Sequence, residues 1–501
     1  MEPITADFLK QLADTNRWSA ILPEIFIACV ALALLAIEML SPKRAGYWVV
    51  RTSLLGLLLP LAYLLMTFTC TECSADDVLF SGLLLQSDFS TIMRCFFLVS
   101  AALVTYLAAR YLKGSEWAKT EFFVLVLIIA VAMMLLVQSH HFVMFFVALE
   151  TVTIAFYVLV AYCRTRVLSL EAGLKYLVMG ALSSSILLFG IVLLYGVAGN
   201  AALTGSSPDA LNYTELKQFI ELNADNLLVK LGVLMVLAGI CFKIGAVPFQ
   251  IWVPDVYQGA PLPVTAYLAV ASKAAGFSVL LQLVTGPFAG MSQTLVPVLS
   301  VIAIVSILFG NIAAVTQGQV KRVLAFSGIA HAGYLLVGVV AAFYVPWAVY
   351  AVLFYLCTYL VASFSVMNVL GFLGRDESLS YDDFKQFSRK SPFLCTLLTC
   401  GLGSLAGIPP LGGFIAKLFL FIAAYQADLY LLLLVSIIGV VISIYYYFSW
   451  IRICLFTEHS LHAIDEKSVI SLRRRDYCVL GSLLFASLLL GLYPGVLPII
   501  P

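Results

Sequence analysis

Apolar residues along this chain come in long unbroken runs, not in the alternation of half-buried strands. Measured against the roughly 20 residues that a helix needs to cross a bilayer, the runs predict fourteen spans, near 20–41, 48–69, 89–112, 121–137, 141–162, 171–198, 228–258, 261–285, 294–316, 321–344, 346–372, 393–425, 428–456 and 477–499. The fold class expected is an all-α polytopic membrane protein. Two spans, 228–258 and 393–425, are too long and too broken to be simple helices. Pro248 and Pro254 interrupt the first; Pro409, Pro410, Gly412 and Gly413 interrupt the second. Proline removes a backbone donor and clashes with the preceding turn. Freed backbone groups at membrane depth are tolerated only where protein or a wet cavity satisfies them. Interrupted helices at corresponding places are the sequence mark of inverted repeats, here spans 4–8 and 9–13. An odd number of spans per unit turns the second over relative to the first. The chain then divides into an N-terminal three-helix segment (1–120), a first five-helix repeat (121–290), a second, inverted repeat (291–457), and a loop with a terminal helix (458–501). Under that alignment Lys243 matches Lys417, and Glu150 matches His331. Two unrelated proline kinks are the alternative.

Composition makes lipid the solvent. The chain is 62% hydrophobic and 11% charged, against about 25% charged in soluble domains. A net charge of +1 gives no reason to expect nucleic-acid binding. The polar stretches near 200–230 and 375–391 are too short for a core of their own. The N-terminus mixes Glu2, Asp7 and Asp14 with Lys10 and Arg17, unlike the basic start of a cleaved signal. Alternating the loops after fourteen spans puts 19 of the 28 basic residues on one side and five on the other. The positive-inside rule makes the basic side cytoplasmic and places both termini in the periplasm. The loop at 70–88 agrees: it has Glu72, Asp76, Asp77 and Asp88 and no Lys or Arg.

The remaining four basic residues, Lys175, Lys243, Lys273 and Lys417, fall within the spans. Charge at bilayer centre costs about 2.5–3.5 kcal/mol on insertion scales, so ionisable groups there default to function. Lys273 and Glu150 are mid-span, with a structural ion pair as the alternative. His331 is mid-span too, though a lone histidine more often serves a core. Lys243 and Lys417 stand beside the helix breaks. Lys175, one turn inside its helix, is a buried group or an interfacial anchor. Glu24 and Glu38 read as structural, and Arg94 as snorkelling outward. Desolvation disfavours a charged amine and a nearby carboxylate restores it, so one acid and two bases make a proton switch. The lone CxxC, Cys70 and Cys73, has no second pair to complete a zinc site and reads as an incidental loop pair.

The segment "FKIGAVPFQIWVPDVYQGAPLPVTAYLAVASKAAGF" resembles the core of the antiporter-like membrane subunits of respiratory complex I. So do "ALETVTIAFYVLVAY", "SLEAGLKYLVMGALSSSILLFGI", "FGNIAAVTQGQVKRVLAFSGIAHAGYLLVG" and "SLAGIPPLGGFIAKLFLF". The likeness covers roughly 120–450, and "PDVYQGAP" and "SLEAGLKY" are similar to the subunit-N branch, the counterpart of mitochondrial subunit 2. It implies proton-transfer roles for Glu150 (fifth helix), Lys175 (sixth), Lys243 (seventh), Lys273 (eighth), His331 (tenth) and Lys417 (twelfth). Gln250 departs from the pattern, standing where many relatives have histidine; an amide cannot titrate. The chain has no flavin, iron–sulfur or dinucleotide motif. The resemblance therefore implies that NADH, FMN, iron–sulfur clusters and quinone are handled by partner subunits, and that the neighbours are the other antiporter-like and small membrane subunits in a bacterial inner membrane. Three functions compete: a proton-translocating subunit of NADH:quinone oxidoreductase, an Mrp-type cation/proton antiporter subunit, and a structural spacer that carries no protons.

Overall fold

The computed structural model describes residues 15–40, 45–69, 77–115, 117, 119–200, 207, 209–374, 379–385, 387–456 and 472–496. Cys70 and Cys73 lie outside them. The helices run in chain order as α1 (Leu22–Leu40), α2 (Ala45–Thr69), α3 (Asp88–Tyr111), α4 (Thr120–Gln138), α5 (Phe142–Val160), α6 (Val167–Ala198), α7 (Tyr213–Asn223) and α8 (Leu227–Ile244). They continue as α9 (Trp252–Gly259), α10 (Leu262–Thr285), α11 (Ser292–Val315), α12 (Val320–Ala341), α13 (Ala348–Leu373), α14 (Pro392–Ala406), α15 (Gly412–Gln426), α16 (Tyr430–Phe456) and α17 (Arg474–Leu492).

Among the described residues, thirteen helices are long and apolar enough to cross a membrane. The shorter α14 and α15 together make the fourteenth, and α8 with α9 make the broken seventh. Helices dominate because each satisfies its own backbone where no water is present. Two features depart from the expected pattern. Strands Asp77–Leu79 and Leu84–Gln86 pair antiparallel as a small hairpin in the acidic loop. Within the polar stretch after α6, α7 forms an amphipathic helix that buries Tyr213, Leu216, Phe219 and Ile220, and Asn212 caps it by accepting from Thr214 N.

The chain forms two compact units. One contains 1–162, 177–240 and 278–291; the other contains 163–176, 241–277 and 292–501. In the first unit, α1, α3 and α4 meet around a buried polar cluster. Arg94 Nη2 donates to Glu24 Oε2 at 2.8 Å and to Ala20 O at 2.9 Å, and Gln138 Nε2 donates to Glu24 Oε1 at 2.8 Å. Arg94 is 1% exposed, so it does not snorkel outward. Glu24 draws it inward, because a guanidinium that finds a carboxylate and a carbonyl keeps its hydrogen bonds without reaching water.

The two most enclosed spans are α10 and α12, each with its most apolar stretch wholly buried. They carry Lys273 and His331. The outer helices α1, α2, α6, α11, α16 and α17 bury only 28% to 39% of theirs and leave the rest exposed.

Candidate proton path

The site lies within the second unit. Helix α10 is not regular: Leu268–Ser272 form a π-helical turn directly before Lys273. Such a turn holds an extra residue and rotates the side chains beyond it, and it recurs at functional sites. Lys273 is 4% exposed. Its Nζ donates to Gly328 O at 2.5 Å and lies 5.4 Å from the centre of the Tyr359 ring. The approach is close: a Cβ at position 328 would stand 3.1 Å from Nζ, so the lysine would have to give by a few tenths of an ångström.

His331 lies one turn of α12 beyond Gly328. Its two ring nitrogens each meet a tyrosine: Nδ1 is 2.7 Å from Tyr355 Oη, and Nε2 is 3.3 Å from Tyr447 Oη. Tyr447 Oη also pairs with Ser327 Oγ. Tyr359 packs on the imidazole, with ring centres 5.0 Å apart. Tyr359 thus touches both Lys273 and His331.

Lys417, in α15, donates to Leu405 O at 2.9 Å and Ala406 O at 2.8 Å. These are terminal carbonyls of α14, where a helix accumulates negative potential and favours a cation. Its Nζ also lies 5.3 Å from the Tyr334 ring centre. A cavity of about 10 Å³ separates His331 from Lys417, with Tyr355, Thr358, Tyr359 and Ser404 also lining it. That is room for one water. Lys273, His331 and Lys417 are therefore brought into one row, linked by the Tyr359 ring and a water-sized gap.

Lys243 is buried at the end of α8, with Nζ 5.5 Å from the Phe242 ring centre. Helix α10 packs on it at Gly276, where a Cβ would lie 3.7 Å from Lys243 Cβ and closer still to Ile244. Gly276 is one turn beyond Lys273. Glu150 belongs to the first unit. It is half-buried and accepts from Ser184 Oγ at 2.5 Å.

Lys175 stands apart from the row, with its side chain 43% exposed. It ion-pairs with Glu171 and with Asp255 of α9, both at 2.7 Å. Asp255 also pairs with Arg322 at 3.0 Å. Helix α9 is the second half of the broken seventh span.

The broken spans share a local pattern at their breaks. Helix α8 is followed by Gly245 (φ +71°) and α14 by Gly407 (φ +86°), both in the left-handed region. Such a glycine ends a helix by turning the chain where other residues strain. A proline stands three residues on in each, Pro248 and Pro410. Counted from these glycines, Lys243 corresponds to Leu405, and Lys417 corresponds to Asp255.

Residues 139–443 match the family described as NADH:quinone oxidoreductase/Mrp antiporter, TM. The chain belongs to this antiporter family. A protein named NADH-quinone oxidoreductase subunit N 1, from Opitutus terrae, is 49% identical over 98% of this chain and 98% of its own length. A chain of respiratory complex I from Thermus thermophilus, solved with bound aureothin, superposes with a TM-score of 0.78 at 29% identity, covering 96% of this chain and 99% of that one. A chain of the Mrp complex from Dietzia sp. gives a TM-score of 0.80 at 20% identity, covering 95% of each; this likeness speaks for the fold alone.

Within the antiporter family's fold, sequence reasoning found the amines and missed what surrounds them. Tyr355, Tyr359 and Tyr447, the π-helical turn and Asp255 were not singled out. A signal existed for the tyrosines: Tyr355 and Tyr359 are four apart and so share a face of α13. Gln250, in the histidine position, has a buried Oε1 with no partner among the described residues.

Proposed function

We propose that this chain is a proton-translocating, subunit-N-type component of the membrane arm of an NADH:quinone oxidoreductase. The observation that carries the reading is the row Lys273–His331–Lys417. Three buried bases are spaced by Tyr359, Tyr355 and a water-sized cavity, and the helices of Lys273 and His331 are the most enclosed spans. Each neighbour can accept or donate a proton, so a charge can pass by short steps without any residue crossing the bilayer. Protons enter from the cytoplasm, pass Lys243, Lys273, His331 and Lys417, and leave to the periplasm. Lys175 biases the charge of the path from its edge, and Glu150 supplies a further ionisable group for proton transfer. Moving one charge against 100 mV costs about 2.3 kcal/mol, which quinone reduction elsewhere in the complex must supply.

The redox groups — NADH, FMN, iron–sulfur clusters and quinone — belong to partner subunits in this reading. The neighbours are the other antiporter-like and small membrane subunits. The chain sits in a bacterial inner membrane with both termini periplasmic, supported by the bias of basic residues to one side. The Mrp-type reading is favoured by the shared fold. Sodium transport, however, calls for carboxylate-rich oxygen sites, and the row consists of amines, imidazole and phenols.

The test is Lys273→Ala in the assembled complex, with proton uptake measured in vesicles. Falling pumping with intact assembly supports the reading. Undiminished pumping removes proton transfer from this subunit and leaves the spacer role.

A further inference from the structure

Asp255 is a carboxylate that meets two cations at once. It is also the residue whose place in the first broken span is taken by Lys417 in the second. Lys417 holds its break by gripping the end of α14. Asp255 engages the other break through a different set of contacts, all converging on the short helix α9.

Those contacts lie at both ends of α9. Arg322 Nη1 donates to Asp255 Oδ1 and to Gln258 Oε1, each at 3.0 Å. Gln258 in turn donates to Gln319 Oε1. Lys321, buried beside Arg322, donates to Gln258 O at 3.3 Å and Ala260 O at 3.1 Å, the final carbonyls of α9. Lys175 reaches Asp255 from α6. The next residue, Tyr176, packs on Trp252 with ring centres 4.8 Å apart.

Trp252 carries the connection inward. Its indole Nε1 donates to Phe242 O at 3.2 Å, the carbonyl directly before Lys243. Helix α9 thus links the ion pairs around Asp255 to the backbone that sets Lys243. The glycine at 245 lets the chain turn between them, so α9 has no continuous helix to fix its direction. Side chains must do that.

We propose that Asp255 is a positioning residue for proton transfer. By holding Lys175 and Arg322 together it fixes α9, and through Trp252 it sets the Lys243 end of the break. The inference rests on the proton-translocating reading given above. It does not require Asp255 to carry a proton. It does require both carboxylate oxygens and their charge, because Oδ1 and Oδ2 accept from different cations, whereas an amide keeps one acceptor and turns a donor toward the second cation.

The experiment uses the full complex in the membrane with Asp255→Asn, Asp255→Glu and Asp255→Ala, alone and combined with Lys243→Ala, and with Lys273→Ala in parallel. Amount of assembled complex, quinone-reductase turnover and proton uptake are measured. Asp255→Asn is expected to lower turnover and proton uptake about five- to tenfold with normal assembly, and Asp255→Glu to restore most of both. Interacting residues are not additive, so adding Asp255→Asn to Lys243→Ala is expected to cause no further loss. A merely structural role would multiply the two defects. Wild-type turnover in Asp255→Asn, or a full further loss in the double variant, overturns the proposal. If Asp255→Ala fails to assemble, the nearly isosteric Asn variant decides alone. Undiminished pumping in Lys273→Ala would sink the underlying reading; impaired Lys273→Ala beside a normal Asp255→Asn would sink only the positioning role.

Discussion

The ammonium of Lys273 is held 2.5 Å from the carbonyl oxygen of Gly328, one helical turn before His331. The contact joins the two most enclosed spans of the protein through a backbone group that cannot ionise. Burying an amine is costly unless it is hydrogen-bonded, and Gly328 supplies the acceptor without supplying a counter-charge. The amine stays in place while its protonation state remains open to change.

Gly328→Ala tests this contact without touching a titratable group. The new methyl would lie 3.1 Å from Nζ and overpack the site, at a cost of about 1–3 kcal/mol. Turnover and proton uptake are expected to fall together, with assembly retained. Unchanged proton uptake would show that the Lys273–Gly328 approach is not needed.

Glu150 offers a charge test in the other unit. Glu150→Gln should lower proton pumping more than Glu150→Asp, since the charge is kept in the second. Ser184→Ala removes one hydrogen bond to the carboxylate and should have a smaller effect than Glu150→Gln. Equal pumping in the Gln and Asp variants would mean that the charge plays no part.

The pair of Glu24 with Arg94 bears on stability. Both side chains are almost fully buried, at 3% and 1% exposure. Removing one partner leaves a charge without compensation, worth about 3–5 kcal/mol. Arg94→Ala or Glu24→Ala should each lower the thermal midpoint in detergent, while the double change to Leu and Met is expected to recover much of it. A single variant as stable as the parent would show that the pair is not holding α1, α3 and α4.

The spans, the breaks and the burial of Lys243, Lys273, His331 and Lys417 were legible in the sequence because each is a local property. Twenty apolar residues, a proline pair or a lysine in mid-run need no knowledge of the rest of the chain. Lys175 was not fully legible. Its depth in α6 is consistent with burial or an interfacial place, and the choice was made by Asp255, 80 residues away. Arg94 was misread for the same reason, since its partner Glu24 lies 70 residues earlier.

The sequence by itself determined a membrane-spanning helical chain, with interrupted helices and a set of bases where lipid should exclude them. Bilayer thickness and backbone hydrogen bonding leave few other solutions for such a pattern. Only the tertiary structure decided which bases form the row, and that tyrosines space them. Counted from the left-handed glycines Gly245 and Gly407, Asp255 stands at the place that Lys417 takes in the second break. Those decisions turn on side-chain contacts between helices distant in sequence and on the left-handed glycines that set the register, neither of which leaves a periodic trace along the chain.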